Sequence, residues 1–141
     1  MITTGATQSI AESTTTVVAL ASTDADSVGT DPATFTITGG ADAALFTIDG
    51  AGHLAFITAP DYEADAHSYQ VEVTAFDGVN STAKTITVNV TDVNDNAPVI
   101  TTGASQSVAE NATTVAALAS TDADTVGTNP ATFTITGGAD A

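Results

Sequence analysis

Asp92-Val93-Asn94-Asp95-Asn96-Ala97-Pro98 is the stretch that decides how the chain is read. Two carboxylates, two carboxamides and a proline separate a strand-like run, Lys84 to Val90, from a second copy of the chain's own beginning. Carboxylates, amide oxygens and main-chain carbonyls are the donors a hard divalent cation selects, and calcium takes six to eight of them. Proline fixes its own φ and biases the residue before it away from the helical region, so the chain leaves this segment extended. The stretch therefore reads as a cation-filled joint between two β modules.

Working outward, the copy on the far side is unambiguous. Ile2 to Ala43 aligns without gaps onto Ile100 to Ala141, an offset of 98 residues. Seven positions differ, each mildly: Thr7/Ser105, Ile10/Val108, Ser13/Asn111, Thr14/Ala112, Val18/Ala116, Ser27/Thr125 and Asp31/Asn129. A period of about 100 residues is one ordinary domain able to bury its own core, not a short solenoid repeat. Residues 1–98 are thus expected to be one complete repeat, and 99–141 the N-terminal part of a second, truncated one. Met1 maps onto Val99, as an added start codon on a piece of a longer tandem array would.

Within the unit the pattern is β throughout. Thr, Val, Ile and Phe dominate the periodic runs, and Gly, Asp, Asn and Pro clusters punctuate them. Strands are expected at Gln8–Ala11, Thr16–Ser22, Thr34–Thr38, Leu45–Asp49, His53–Phe56, Ser68–Phe76 and Lys84–Thr91. Alternation assigns the buried face to Val18 and Leu20, Phe35 and Ile37, Phe46 and Ile48, Leu54 and Phe56, Tyr69, Val71, Val73 and Ala75, and Ile86, Val88 and Val90. Asp49-Gly50-Ala51-Gly52 and Asp77-Gly78-Val79-Asn80 read as turns. Seven strands in such a length make an all-β, Greek-key, immunoglobulin-like sandwich, followed by a partial repeat. Residues 100–141 supply about three strands and no facing sheet, too little to bury a core alone.

Charge narrows the function. Lys+Arg number 1 against Asp+Glu 17, a net charge of -16, and there is no cysteine. Such a chain repels nucleic acid and anionic membrane surfaces, so neither is an expected partner. A hydrophobic fraction of 43% fits a folded protein rather than a disordered acidic tail. Without cysteine there is no disulfide framework and no Cys-ligated zinc. No apolar run is long enough to insert in a membrane, and no basic-then-apolar leader opens the sequence. His53 and His67 lack a second His or Cys at ligand spacing and read as surface or strand-edge residues. No nucleophile and base recur together, so the chain reads as no enzyme.

The acidic clusters fall at loops: Glu12; Asp24-Ala25-Asp26; Asp61-Tyr62-Glu63; Asp77; and Asp92 to Asn96. In a Greek-key sandwich with these strands, Glu12, the 61–63 turn and the 92–96 exit share one end, and Asp24, Asp26 and Asp77 the other. Stacking modules head to tail would bring Glu12, Asp61, Glu63 and Asp95 to the incoming Asp122 and Asp124. Like charges a few ångströms apart repel by roughly 1 kcal/mol per pair in water and several times that where solvent is excluded. Such a joint is loose when empty and stiff when filled. Asp31, Asp42, Asp49 and Asp65 read instead as ordinary turn residues bonding their own backbone.

These motifs resemble the cadherin repeat, in the bacterial form found in large surface adhesins. The resemblance is carried by Ala11-Glu12, Thr23-Asp24-Ala25-Asp26 with its copy Thr121-Asp122-Ala123-Asp124, Phe46-Thr47-Ile48-Asp49, Asp61-Tyr62-Glu63, Ala75-Phe76-Asp77-Gly78, and Asp92 to Pro98. It covers residues 2–98 in order and then restarts. It implies that Glu12, Asp61, Glu63 and Asp95, with the Val93 carbonyl and Asp124 of the next repeat, hold two adjacent Ca2+ ions. Asn94, the Asn96 carbonyl, Asp122 and Asp124 would hold a third, with a carbonyl near Asn129 as a further candidate. The family also uses an Asp from the next repeat's counterpart of Asp77, which falls beyond residue 141. Asp24, Asp26, Asp77 and Glu110 await neighbouring half-sites of the same kind. Pro60 departs from the family's usual Leu before the Asp-Tyr-Glu triplet.

The expected function is a calcium-dependent adhesion or extender module of an extracellular or cell-surface protein, its partners the adjacent repeats of the same chain. Two other readings stand beside it. One is direct recognition, by homophilic contact or calcium-dependent polysaccharide binding. The absence of Trp excludes the family's Trp-anchored strand swap, and few aromatics are left for sugar stacking. The other is a filament or sheath subunit that exchanges strands, since residues 100–141 are nearly interchangeable with 2–43.

Overall fold

A computed structural model describes residues 1–25, 29, 33–127 and 131–139. The chain divides into two compact units, Met1–Val93 and Asn94–Ala141.

The first unit is built on its two longest strands, β6 (Ser68–Phe76) and β7 (Ser81–Thr91), paired antiparallel from Ser68↔Asn89 to Phe76↔Ser81. Alternation of apolar and polar residues over 68–75 and 84–91 gives each one buried face. Val71, Val73, Ile86 and Val88 have no exposure at all. Strand β3 (Thr34–Gly39) joins β6 antiparallel, and β1 (Thr7–Ala11) joins β7 parallel, completing a four-stranded sheet in the order β1-β7-β6-β3. The facing sheet is β2 (Thr16–Ala19), β5 (His53–Phe56) and β4 (Phe46–Ile48), in the order β2-β5-β4. Leu54, fully buried, is the centre of this second layer. Phe46, Phe56 and Tyr69 close one side of the core, with Phe56 4.2 Å from Phe46 and edge-on to Tyr69 at 5.0 Å. The architecture is an all-β, immunoglobulin-like sandwich of seven strands.

Several strand boundaries differ from those the sequence suggests. Strand β7 begins at Ser81 rather than Lys84, because Asp77 closes a tight turn in which its N–H donates to the Asn80 carbonyl and its Oδ1 accepts from Val79 and Asn80. Pairing with β6 can then start at once, although Ser81-Thr82-Ala83 carry no apolar alternation. Strand β2 is interrupted by a register shift between Thr16 and Val18, which leaves Val17 and Val18 both half-buried, and it ends at Ala19. Ala43–Leu45 form a single 3-10 turn, so β4 starts at Phe46. Tyr69, Val71, Val73 and Ala75, and Ile86, Val88 and Val90, are buried as the alternation requires, and Ile2 and Ile10 add to them.

In the second unit the repeat is legible in its hydrogen bonds. The Ile2↔Ser22 bridge recurs as β8 (Val99–Ile100) against β9 (Ser120–Thr121), with Ile100↔Ser120. Thr3 N–H donates to the Ala21 carbonyl, and Thr101 N–H to that of Ala119. Gln8 and Gln106 each donate to the glycine carbonyl three residues earlier. Beyond these, the described residues of the unit form no further strand. Counterparts of β6 and β7 are absent from the 141 residues, so Val108, Val115, Leu118 and Ile135 are exposed where a sandwich would cover them.

Candidate metal centre

The parallel pairing of β1 with β7 sets Ala11 opposite Thr91, which delivers the next residue, Glu12, to the exit of β7. Its N–H donates to the Thr91 carbonyl at 3.0 Å, and Ser13, at a positive φ of 59°, turns the chain so that its N–H reaches the Pro60 carbonyl. The Glu12 side chain is 3% exposed. Its Oε1 accepts the Val93 N–H at 2.8 Å and its Oε2 the Tyr62 N–H at 2.7 Å. A buried carboxylate is costly unless hydrogen-bonded, and these two donors hold it in place.

The 61–65 turn supplies the neighbours. Asp61 Oδ1 accepts the N–H groups of Glu63 and Ala64, while Asp65 Oδ2 accepts that of Asp61. His67 stacks on Tyr62 at 3.6 Å and bonds the Tyr62 carbonyl through Nε2 at 2.7 Å, bracing the turn from beneath. The result is that Glu12, Asp61 and Glu63 place carboxylate oxygens within 4.8 Å of one another. Asp92, half-buried, brings a carboxylate oxygen within the same distance of Glu63. Asp92 was not among the residues singled out as ligands, although it stands in the quoted stretch. Its involvement depends on strand register, since it follows Thr91 directly at the end of β7.

The chain's single Lys or Arg, Lys84, donates to the Thr4 carbonyl, seven residues back along β7 from Thr91, roughly 23 Å at strand rise. The oxygen-only donor set fits a hard cation such as calcium and not a thiolate- or imidazole-seeking metal.

In the second unit Asp124 is 4% exposed. Its Oδ2 accepts the Asn96 N–H and its Oδ1 the Asn96 Nδ2, both at 2.9 Å, and Asn96 Nδ2 also donates to Asp95 Oδ1 at 3.1 Å. Asp122 Oδ1 accepts the Asp124 N–H at 3.4 Å, and Asn94 Nδ2 donates to the Val126 carbonyl at 3.4 Å. Asn94, Asp95, Asn96, Asp122 and Asp124 are therefore brought together within this unit. Glu12 and Asp124 are the buried charged side chains among the described residues, and both belong to the expected ligand set.

Asp24 and Asp77 lie at the opposite end of the first unit, lining one recess with Met1 and Asn80. The Asn80 and Val79 N–H groups hold the Asp77 carboxyl below the usual aspartate range, helped by a hydrogen bond with Asp24 and the Met1 ammonium. Asp26 and Asn129 lie outside the described residues. Glu110, the counterpart of buried Glu12, is exposed, the 61–63 turn having no counterpart in the second copy. Of the residues read as plain turn formers, Asp49 accepts the Ala51 and His53 N–H groups, as expected. Asp42 instead reaches across to the Gln70 N–H at 2.7 Å, and Asp31 is outside the described residues.

The seven-stranded sandwich, with acidic groups gathered at the exit of its last strand, is similar in fold to the cadherin repeat. Solved structures agree. A protocadherin gammaB7 EC3-6 cis-dimer structure matches 89% of this chain and 32% of its own at 26% identity, with a TM-score of 0.63. The protocadherin gammaB4 extracellular domain matches over 89% and 24% at 22% identity and a TM-score of 0.64. Mouse cadherin-23 EC22-24 matches over 85% and 41% at 23% identity and a TM-score of 0.58. The chain thus spans less than half the length of each of these. No family model and no curated sequence matches it. Among the described residues no helix is long and apolar enough to cross a membrane.

Proposed function

We propose that this chain is a calcium-dependent, non-enzymatic extender and adhesion module of a large extracellular surface protein, in the bacterial form of the cadherin repeat. One observation carries the reading. Glu12 and Asp124, the buried acidic groups, each stand at the centre of one half of the expected ligand set. In this reading Glu12, Asp61, Glu63, Asp95, the Val93 carbonyl and Asp124 hold two Ca2+ ions. Asn94, the Asn96 carbonyl, Asp122 and Asp124 contribute to a third. Calcium supplies the positive charge that the sequence lacks; the residues supply fixed oxygens, since Glu12 and Asp61 are already oriented by backbone N–H groups. Extracellular calcium modules bind at roughly 10⁻⁴–10⁻³ M, so joints of this kind fill outside the cell and empty within it. Filled joints stiffen a tandem array and hold whatever it carries away from the surface.

Calorimetric calcium titration of the wild type, Asp95→Ala and Asp122→Ala tests the reading. Saturable binding that weakens in both variants is expected. Indifference of affinity and melting temperature to both substitutions would show the ligand assignment to be wrong.

A further inference from the structure

We propose that His67 is a positioning residue of the candidate metal centre, holding the Tyr62 carbonyl with its Nε2–H and backing the Tyr62 ring, so that Asp61 and Glu12 are aimed before an ion arrives. The inference rests on the calcium reading of that centre and adds to it a residue outside the expected ligand set.

The brace is anchored on the sheet. His67 immediately precedes β6, and its carbonyl accepts the Val90 N–H at 2.9 Å, which ties its backbone to β7. Its side chain reaches back five residues to Tyr62. The two rings lie at 7° to one another with centroids 3.6 Å apart, and Tyr62 itself packs half-buried against the core. A carbonyl only accepts, so the 2.7 Å contact of Nε2 with the Tyr62 oxygen fixes the tautomer, with a proton on Nε2.

What that bond controls follows from the planarity of the peptide. The Tyr62 carbonyl and the Glu63 N–H belong to one rigid unit, so holding the oxygen also sets the direction of the N–H. That N–H donates to Asp61 Oδ1 at 3.1 Å. The Tyr62 N–H, on the other side of the same residue, donates to Glu12 Oε2 at 2.7 Å. One imidazole thus steadies the donors of two of the three carboxylates that lie within 4.8 Å of one another. Their mutual repulsion favours an opened turn when no cation is bound, and His67 opposes that opening from outside the cluster. A hydrogen bond to the carbonyl also polarises the peptide, which strengthens its N–H as a donor to Asp61. Groups that orient the ligands of a metal commonly change its affinity by about ten- to a hundredfold. The other histidine, His53, bonds Asp49 through Nδ1 at 2.7 Å across the β4–β5 turn and serves as a control.

Calorimetric calcium titration of the full chain, with amide hydrogen exchange in chelator, tests the proposal on wild type, His67→Ala, His67→Gln and His53→Gln. His67→Ala should weaken calcium binding about tenfold. In chelator its Tyr62 and Glu63 amides should lose protection while those of β6 and β7 keep theirs. His67→Gln, which retains a donor, should recover part of both effects, and His53→Gln should match wild type. Nitrogen NMR of the neutral His67 ring should find the proton on Nε2. The proposal is overturned by unchanged calcium affinity in His67→Ala, by protection kept at Tyr62 and Glu63, or by protection lost equally across β6 and β7, which would make His67 a residue of the fold alone. A wild type that binds no calcium would instead sink the reading of the centre, and the proposal with it, so the two failures are distinguishable.

Discussion

The Glu12 carboxylate accepts the Val93 N–H at 2.8 Å, tying the end of the first strand to the exit of the last across 81 residues of sequence. Its other oxygen holds the Tyr62 N–H at 2.7 Å, so one buried side chain fixes three segments at the same end of the sandwich. Removing it should cost stability before any metal is considered. In chelator, Glu12→Ala should lower unfolding free energy by about 1–3 kcal/mol by stranding part-buried donors. Glu12→Gln, which keeps one oxygen acceptor, should lose less. Urea melts of the three proteins check this, and equal stability of Glu12→Ala and wild type would refute it.

Asp77 adds an acid-sensitive contribution at the other end of the first unit. Hydrogen bonds from Asn80 and Val79 hold its folded pKa below the ordinary aspartate value of about 3.9. The stabilisation is present above the unfolded value and is lost as pH falls through the folded one. Asp49, held down first by the His53 N–H and then by the His53 ring, behaves likewise. NMR titration of the two carboxyls should give midpoints below those of an unfolded peptide. Asp77→Asn should flatten the loss of stability below about pH 4.

Two glycines in neighbouring turns make a matched pair. Gly40 has φ of +105°, and a Cβ there would lie 2.6 Å from the Gln70 carbonyl oxygen and the Val71 Cα. A Cβ at Gly50 would meet nothing within 4 Å. Gly40→Ala should therefore destabilise by more than about 1 kcal/mol, and Gly50→Ala should stay within about 0.5 kcal/mol of wild type. Thermal melts at one pH distinguish them.

Equivalent positions in the two copies should respond differently. Ile10 is 8% exposed and packs in the core, while its counterpart Val108 is 50% exposed. Ile10→Ala is expected to cost about 2–5 kcal/mol, and Val108→Ala less than about 0.5 kcal/mol. A comparable cost at both sites would mean that the second copy is as well packed as the first.

Much of this was legible before any coordinates. Alternation in Ser68–Phe76 and Lys84–Val90 named the buried face, because those strands lie mid-sheet where one side must be apolar. Sequence could not locate the bulge between Thr16 and Val18, since two adjacent valines fit either face. Nor could it foresee Ser81 as a strand residue, a consequence of the Asp77 turn rather than of its own character. At the candidate metal centre, Glu12, Asp61 and Glu63 were read from motif and are found within 4.8 Å of one another. Asp92, the Asp65 cap on Asp61 and the His67–Tyr62 stack were not, because each depends on register and turn geometry that composition does not encode.

The most direct measurement is an anomalous-difference map from crystals grown in calcium-rich buffer. The account predicts peaks bonded to Glu12, Asp61 and Glu63, with Asp95 and Asp124 completing the shell. A well-resolved map without such peaks, its acidic side chains solvated, would contradict it.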